Sequence, residues 1–283
     1  MKHIMTVYRM LKISMVPLAL ILIPSFAFAS AWTRPDGNLL VLSPISYVYA
    51  DESFDNDGDR VDRNRFEMAE FSPLIEYGVT SSFTVGMQPK YRKVWLKTAS
   101  GQTVSNSGLA ESDFYIRQRL WHRDQASFSI QVGAKIPINP DEDSEVPIGR
   151  DQVDADIKLA YGNRRPMGGG QIFYSGELGY NKRFDVPADE AFLNTFIGWT
   201  PGGSNWAFIL RSANTVSTGN DGNDDTEVLT AFPDYRRHDV QLMTSYRFSN
   251  AMSLVGGVST TYAGENVGIG NTAFIALSTP FSI

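Results

Sequence analysis

Ten residues near the middle of the chain, Ser127 to Ile136, alternate without exception. Phe128, Ile130, Val132, Ala134 and Ile136 are apolar, whereas Ser127, Ser129, Gln131, Gly133 and Lys135 are polar or tiny. Period two puts one set on each face of an extended strand. A tilted strand of about ten residues is also long enough to cross a bilayer. A chain that repeats this stretch can therefore close into a barrel with a dry outside and a wet inside. A water-soluble sheet sandwich alternates in the same way, so alternation alone leaves both folds open.

The pattern recurs. Val153, Ala155, Ile157, Leu159 and Tyr161 oppose Gln152, Asp154, Asp156 and Lys158. Ala110, Phe114, Ile116 and Leu120 oppose Glu111, Asp113, Tyr115, Arg117 and Arg119, and Val240, Leu242, Thr244, Tyr246 and Phe248 oppose Asp239, Gln241, Ser245 and Arg247. Twelve strands are expected, at 38–49, 65–77, 82–95, 109–121, 126–136, 152–162, 171–183, 190–200, 206–215, 237–248, 252–262 and 271–282. Short connections rich in Gly, Asn, Asp and Pro alternate with long ones at 50–64, 97–108, 137–151, 184–189, 216–236 and 263–270. Membrane barrels segregate their loops in this way; a sandwich has no reason to. Tyr77, Trp121, Tyr161, Trp199, Trp206, Tyr246 and Phe248 lie beside the short turns, and Tyr49, Trp95, Tyr180 and Tyr262 lie toward the long loops. Two such rings are the aromatic girdles of a membrane barrel. The expected fold is an all-β, antiparallel up-and-down transmembrane β-barrel. Pro44, Pro73 and Pro89 should break the ladder locally, since proline lacks the amide hydrogen.

The first thirty residues belong to a different element. Lys2, Arg9 and Lys12 precede an apolar run from Ile13 to Phe28, and Ala27-Phe28-Ala29 offers a small-residue cleavage site. This reads as a cleaved signal peptide over 1–29, leaving a barrel domain over 30–283. Loss of the three basic residues of that leader moves the formal charge from −6 to −9. An acidic chain argues against nucleic acid as a partner. The absence of cysteine removes thiol catalysis and thiolate metal sites.

Parity places a set of charges on the lumen side: Glu70, Glu76, Lys90, Arg92, Glu111, Asp113, Arg117, Arg119, Lys135, Asp154, Asp156, Lys158, Glu177, Arg183, Arg211 and Arg247. They are either a pore wall that filters solutes or a salt-bridged network that fills a narrow barrel, since buried charges must be paired. Glu70 and Glu76 should lie beside Lys90 and Arg92, and Lys135 near the outer rim, opposite Asp154 or Asp156. No catalytic residue and no cofactor is expected. Some twelve-stranded barrels are lipid hydrolases that pair a histidine with the serine two residues on; here Asp124 follows His122 and Val240 follows His238 at that spacing. His238-Asp239 reads as an ordinary surface pair. Asp55, Asp57 and Asp59 in one loop, and Asp221 to Asp225 in another, alternate carboxylates near glycine, but neither completes a calcium loop.

Several stretches resemble one group of Gram-negative outer-membrane proteins, labelled as transporters or as proteins of a meta-cleavage phenol-degradation pathway. They are Glu76-Tyr77-Gly78-Val79-Thr80 with Phe83-Thr84-Val85-Gly86, then Gly133-Ala134-Lys135-Ile136-Pro137 before an acidic loop. Asp154 to Gly162, Leu178-Gly179-Tyr180-Asn181-Lys182-Arg183 and Asp189-Glu190 complete the set, which covers roughly 70–200. The resemblance implies an outer-membrane barrel passing small aromatic or apolar compounds, with outer-membrane lipid and lipopolysaccharide as its partners. Three functions follow as expectations: a passive channel or transporter for small molecules, a closed structural or binding barrel acting through acidic external loops, and a membrane-embedded lipid hydrolase.

Overall fold

The computed structural model describes residues 31–283 except 99, 140–143, 145, 150, 185–187, 219–233, 249–251 and 283. The leader at 1–29, the Asp221–Asp225 run and the turn at 249–251 therefore lie outside the described residues. The first strands are β1 (Asn38–Phe54), β2 (Arg60–Phe71), β3 (Leu74–Thr80), β4 (Phe83–Lys97) and β5 (Thr103–Arg123). Next come β6 (Ala126–Pro137), β7 (Asp154–Met167), β8 (Gly170–Arg183), β9 (Glu190–Thr200) and β10 (Trp206–Ser217). The last are β11 (Arg236–Arg247), β12 (Ser253–Glu265), β13 (Val267–Gly268) and β14 (Asn271–Ser282).

Each strand pairs antiparallel with its sequence neighbour, and β14 returns to β1 over Asn271–Tyr49 through Ser282–Asn38. The sheet is thus a closed barrel of twelve staves, with β2 and β3 sharing one stave and β13 a two-residue patch on the end of β1. Closure leaves no ladder edge, which hydrocarbon would not tolerate. All twelve expected strands are present. Several run further than expected, so two of the long connections shrink to 55–59 and 98–102. Polar side chains do not stop a ladder, and these hairpins continue beyond the apolar band.

Only one of the three prolines breaks a strand. β2 gives way to β3 at Ser72-Pro73, where the Ser72 carbonyl accepts a hydrogen bond from Gln88 Nε2 (3.0 Å) and the Ser72 amide donates to the Pro44 carbonyl (3.3 Å). Pro44 stays in register opposite Ala276, and Pro89 opposite Ser112, with the nearest bulge one residue later at Lys90/Tyr91. At the other rim the hairpins are tight. Gly168 and Gly169 both have positive φ (57° and 73°), as a two-residue primed turn requires.

Outward side chains form an apolar belt that includes Ile45, Phe71, Ile116, Val132, Ile157, Leu193, Leu210, Leu242, Val258 and Ile275, all exposed. A continuous exposed band of this kind is stable only against lipid. Trp206, Tyr246 and Phe248 touch in series at the short-turn rim, with ring centroids 4.9 and 5.3 Å apart. In the starting stretch, Val132 is 47 % exposed and Gln131 is 8 % exposed. Val132→Arg should cost about 2–4 kcal/mol of barrel stability near the bilayer midplane. Gln131→Glu should cost little, because Arg117 Nη2 faces its Oε1 at 2.9 Å. Gel-shift folding titrations in urea compare the two; equal tolerance would contradict the assigned faces.

Candidate functional site: a filled, charge-banded lumen

From the short-turn rim upward, the inward side chains change chemistry twice. Along β4 they run Thr84, Gly86, Gln88, Lys90, Arg92, Val94 and Leu96. Along β3 and β2 they run Glu76, Leu74, Glu70, Met68 and Phe66. The lumen therefore stacks a lower mixed layer, a charged belt and an upper apolar layer.

The lower layer holds an element that is not part of the barrel wall. Residues 31–37 cross the lumen from β3 and β4 toward β6 and β7. Thr33 Oγ1 donates to the Ser81 carbonyl (2.7 Å), the Arg34 amide donates to Thr84 Oγ1 (2.8 Å), and Ser127 Oγ donates to the Ala31 carbonyl (2.7 Å). The Trp32 ring fills the space over Gly162, where any added Cβ would lie 2.5 Å from it, and the Arg164 guanidinium lies over the ring 4.8 Å from its centroid. Glu76, 1 % exposed, joins this segment to the wall. It accepts from Arg34 Nε (2.6 Å), Arg117 Nη1 (2.9 Å) and the Tyr115 hydroxyl (2.6 Å), while Arg117 Nη1 also donates to the Trp32 carbonyl (3.2 Å). Around it pack Leu42, Leu74, Phe196, Ile209, Met243, Val255 and Phe274.

The charged belt is paired. Arg92 bridges Glu70 (2.7 Å) and Glu111 (3.0 Å), and Lys90 bridges Glu111 (3.0 Å) and Asp113 (2.8 Å). Lys135 faces Asp154 in register at 3.4 Å, and Asp154 also approaches Arg183 Nε at 3.8 Å. Arg183 in turn contacts Glu190. Asp156 meets Lys158 (3.5 Å), and Glu177 accepts from Asn194 Nδ2 (3.0 Å). Arg211 is buried on the inner face of β10, and Arg119 is half-buried near the lower rim. The network is tight around Glu70, Arg92, Glu111 and Arg183, whereas the side chains of Asp113, Lys135, Asp156 and Lys158 stay 22–23 % exposed. Outside the spanning strands, Asp189 is held by Lys182 (2.8 Å), the Arg183 amide (2.9 Å) and Tyr180 (2.7 Å). Burial pushes its carboxyl up, but these partners outweigh burial and hold it below the ordinary range.

Several expectations need correction. Arg247 is exposed at the short-turn rim and lies outside the lumen proper. Glu76 pairs with Arg34 and Arg117, not with Lys90 or Arg92. Ala110 and Leu120 are bulge residues, and Ala110 turns inward to 1 % exposure instead of facing lipid. Asp239 is no surface residue: it is buried and accepts from Arg237 Nε (3.0 Å) and Thr261 Oγ1 (2.7 Å). His238 turns away from it toward Asn214 Oδ1 (2.8 Å), and His122 lies within β5 and not in the turn. Asp55 Oδ1 accepts the amides of Asp57 (3.0 Å) and Asp59 (2.9 Å), so that carboxylate closes its own turn. Among the described residues no three His, Cys, Asp or Glu side chains gather as a metal site. Parity would have added Glu190 and Arg237 to the lumen set; nothing periodic announces Trp32 or Arg34.

Fold and lumen together define a transmembrane β-barrel whose interior is lined by paired charges and narrowed by residues 31–37. No family model matches the chain, and no curated protein does. Among solved structures it is similar to the COG4313 outer membrane channel from Pseudomonas putida F1, at 13 % identity and TM-score 0.70, covering 89 % of this chain and 98 % of that one. The β domain of the Bordetella autotransporter BrkA (11 % identity, 85 % and 100 % covered, TM-score 0.49) and the CymD monoaromatic hydrocarbon channel (11 %, 88 % and 89 %, 0.43) are also similar. At these identities the likeness is one of fold.

The lower network yields a stability prediction. Glu76→Gln leaves Arg117 buried without its counter-charge and should destabilise the barrel by about 3–5 kcal/mol. Lys182→Ala, at an ion pair whose lysine is 49 % exposed, should cost less than about 1 kcal/mol. Urea unfolding of the two variants in parallel measures the difference.

Proposed function

We propose that this chain is an outer-membrane channel for passive movement of small molecules, exported by the leader at 1–29 and seated among outer-membrane lipid and lipopolysaccharide. One observation carries the reading: the element that closes the lower lumen is separable from the wall. Residues 31–37 touch the barrel through side chains and a few turn bonds and take no place in the strand ladder. A barrel that served only as a scaffold would need no such insert. A channel needs one that can yield, so that the narrowed lower lumen becomes a path.

The solute class follows from the lining. Above the charged belt the inner wall is apolar, with Phe66 and Met68, and below it Phe196, Phe274 and Met243 pack among the polar groups of the mixed layer. The family resemblance points the same way, toward small apolar or aromatic compounds of the kind processed in phenol degradation. The reading assigns the chain no catalytic role.

The test is single-channel recording in planar bilayers. The native barrel should give small, infrequent openings. Arg34→Ala removes one of the two cations on Glu76 and should raise open probability several-fold while gel-shift folding stays intact. No current from correctly folded samples of both proteins would contradict the channel.

A further inference from the structure

The upper lumen contains a second insert. Between β6 and β7 the chain turns inward, and Val146 and Ile148 reach 1 % and 2 % exposure inside the barrel. They sit in a chamber walled by Val48 and Ala50 of β1, Phe66 and Met68 of β2, Val94 of β4 and Ala110 of β5. The wall is cut to receive them. A Cβ on Gly108 would come within 2.9 Å of Ile148 Cδ1, and one on Gly149 would lie 3.3 Å from Ala110 Cβ.

Packing holds them, and among the described residues few hydrogen bonds join them to the wall. Asn106 Nδ2 donates to the Val146 carbonyl (3.1 Å) and to Ser144 Oγ (3.0 Å), and Arg92 Nη1 donates to the Ile148 carbonyl (3.1 Å). The two residues add no rung to any strand ladder. Arg92 keeps Glu70 and Glu111 whether or not Ile148 is there, so departure of the insert leaves no unpaired charge below it. What it would uncover is a dry chamber lined by a phenyl ring, a thioether and short aliphatic groups, open toward the long-loop rim and floored by the Arg92 ion pairs.

We propose that this chamber is a binding subsite for a small apolar solute, and that Val146 and Ile148 occupy it as an internal stand-in that the solute displaces. The two side chains together carry about seven carbons, the size of one substituted benzene ring, and the Phe66 and Met68 walls suit an aromatic guest. The subsite rests on the channel reading for its role, but not for its detection.

Toluene is the probe, and the absence of native cysteine makes thiol chemistry specific. In Val146→Cys, reconstituted in nanodiscs, a maleimide should label the buried thiol slowly. Saturating toluene should speed labelling about five-fold or more, as expected when a guest shifts a two-state equilibrium; glycerol should not. In Ala110→Cys/Gly149→Cys the Cβ separation is close to that of a disulfide, about 3.5–4.5 Å. Oxidation should close that bridge readily, and toluene should slow the closure by a similar factor. Ala31→Cys, buried in the lower lumen, should label at the same rate with and without toluene. Unchanged rates in both upper-chamber variants would overturn the proposal. Equal acceleration at Ala31→Cys, which reports general loosening, would overturn it too. Neither readout requires permeation, so an absence of current in bilayers would remove the channel reading while leaving the subsite standing.

Discussion

Hydrocarbon supplies no partner for a backbone amide, and the rest of the structure follows from that constraint. The β1–β14 ladder, twelve residue pairs long, turns an open meander into a cylinder and removes its last free edge. Once closed, each stave must send alternate side chains to lipid and to the lumen. Even the break between β2 and β3 at Ser72-Pro73 is bridged by a side chain: Gln88 Nε2 donates to the Ser72 carbonyl.

The inner face carries the cost of that arrangement. Twelve staves enclose more volume than inward side chains of moderate size fill, yet the charges there are too dry to stand alone. Two kinds of filler meet the demand. Opposite charges pair across neighbouring staves, as in Glu70–Arg92–Glu111–Lys90. Chain segments from outside the ladder enter from both ends, Trp32 with Arg34 from below and Val146 with Ile148 from above. Both inserts are tied to the belt by arginines that already have carboxylate partners, Arg117 below and Arg92 above. Arg92 keeps its carboxylates when the upper insert leaves, whereas withdrawal of the lower insert takes Arg34 from Glu76, so the two ends are held by different means.

Strand number, order and facing were legible because alternation is strict where one face meets lipid and the other meets charge, as in β6 and β7. Legibility failed for three physical reasons. Bulges at Ala110 and Leu120 shift parity by one, a shift that sequence does not announce. At the long-loop end the polarity of the two faces inverts, with Val48, Ala50, Phe66 and Met68 inside and Tyr49, Asp51, Arg65 and Glu67 outside, so a rule that places charges inward does not find the chamber. Inserts have no period at all: Trp32 and Arg34 precede the first strand, and Val146 and Ile148 sit in a loop whose acidic composition suggested solvent. The charged residues were found and several of their partners were foreseen, but Glu76 was assigned the wrong cations because Arg34 arrives from outside the barrel.

The central claim is that the N-terminal segment lies inside the lumen and is held there through Glu76. Ala31→Cys, at a position with no exposed surface, tests it directly when treated with a membrane-impermeant maleimide in the folded barrel. The account predicts slow labelling in the otherwise native chain and rapid labelling once Glu76→Gln is added. Rapid labelling in both would place the segment outside the barrel and contradict the account.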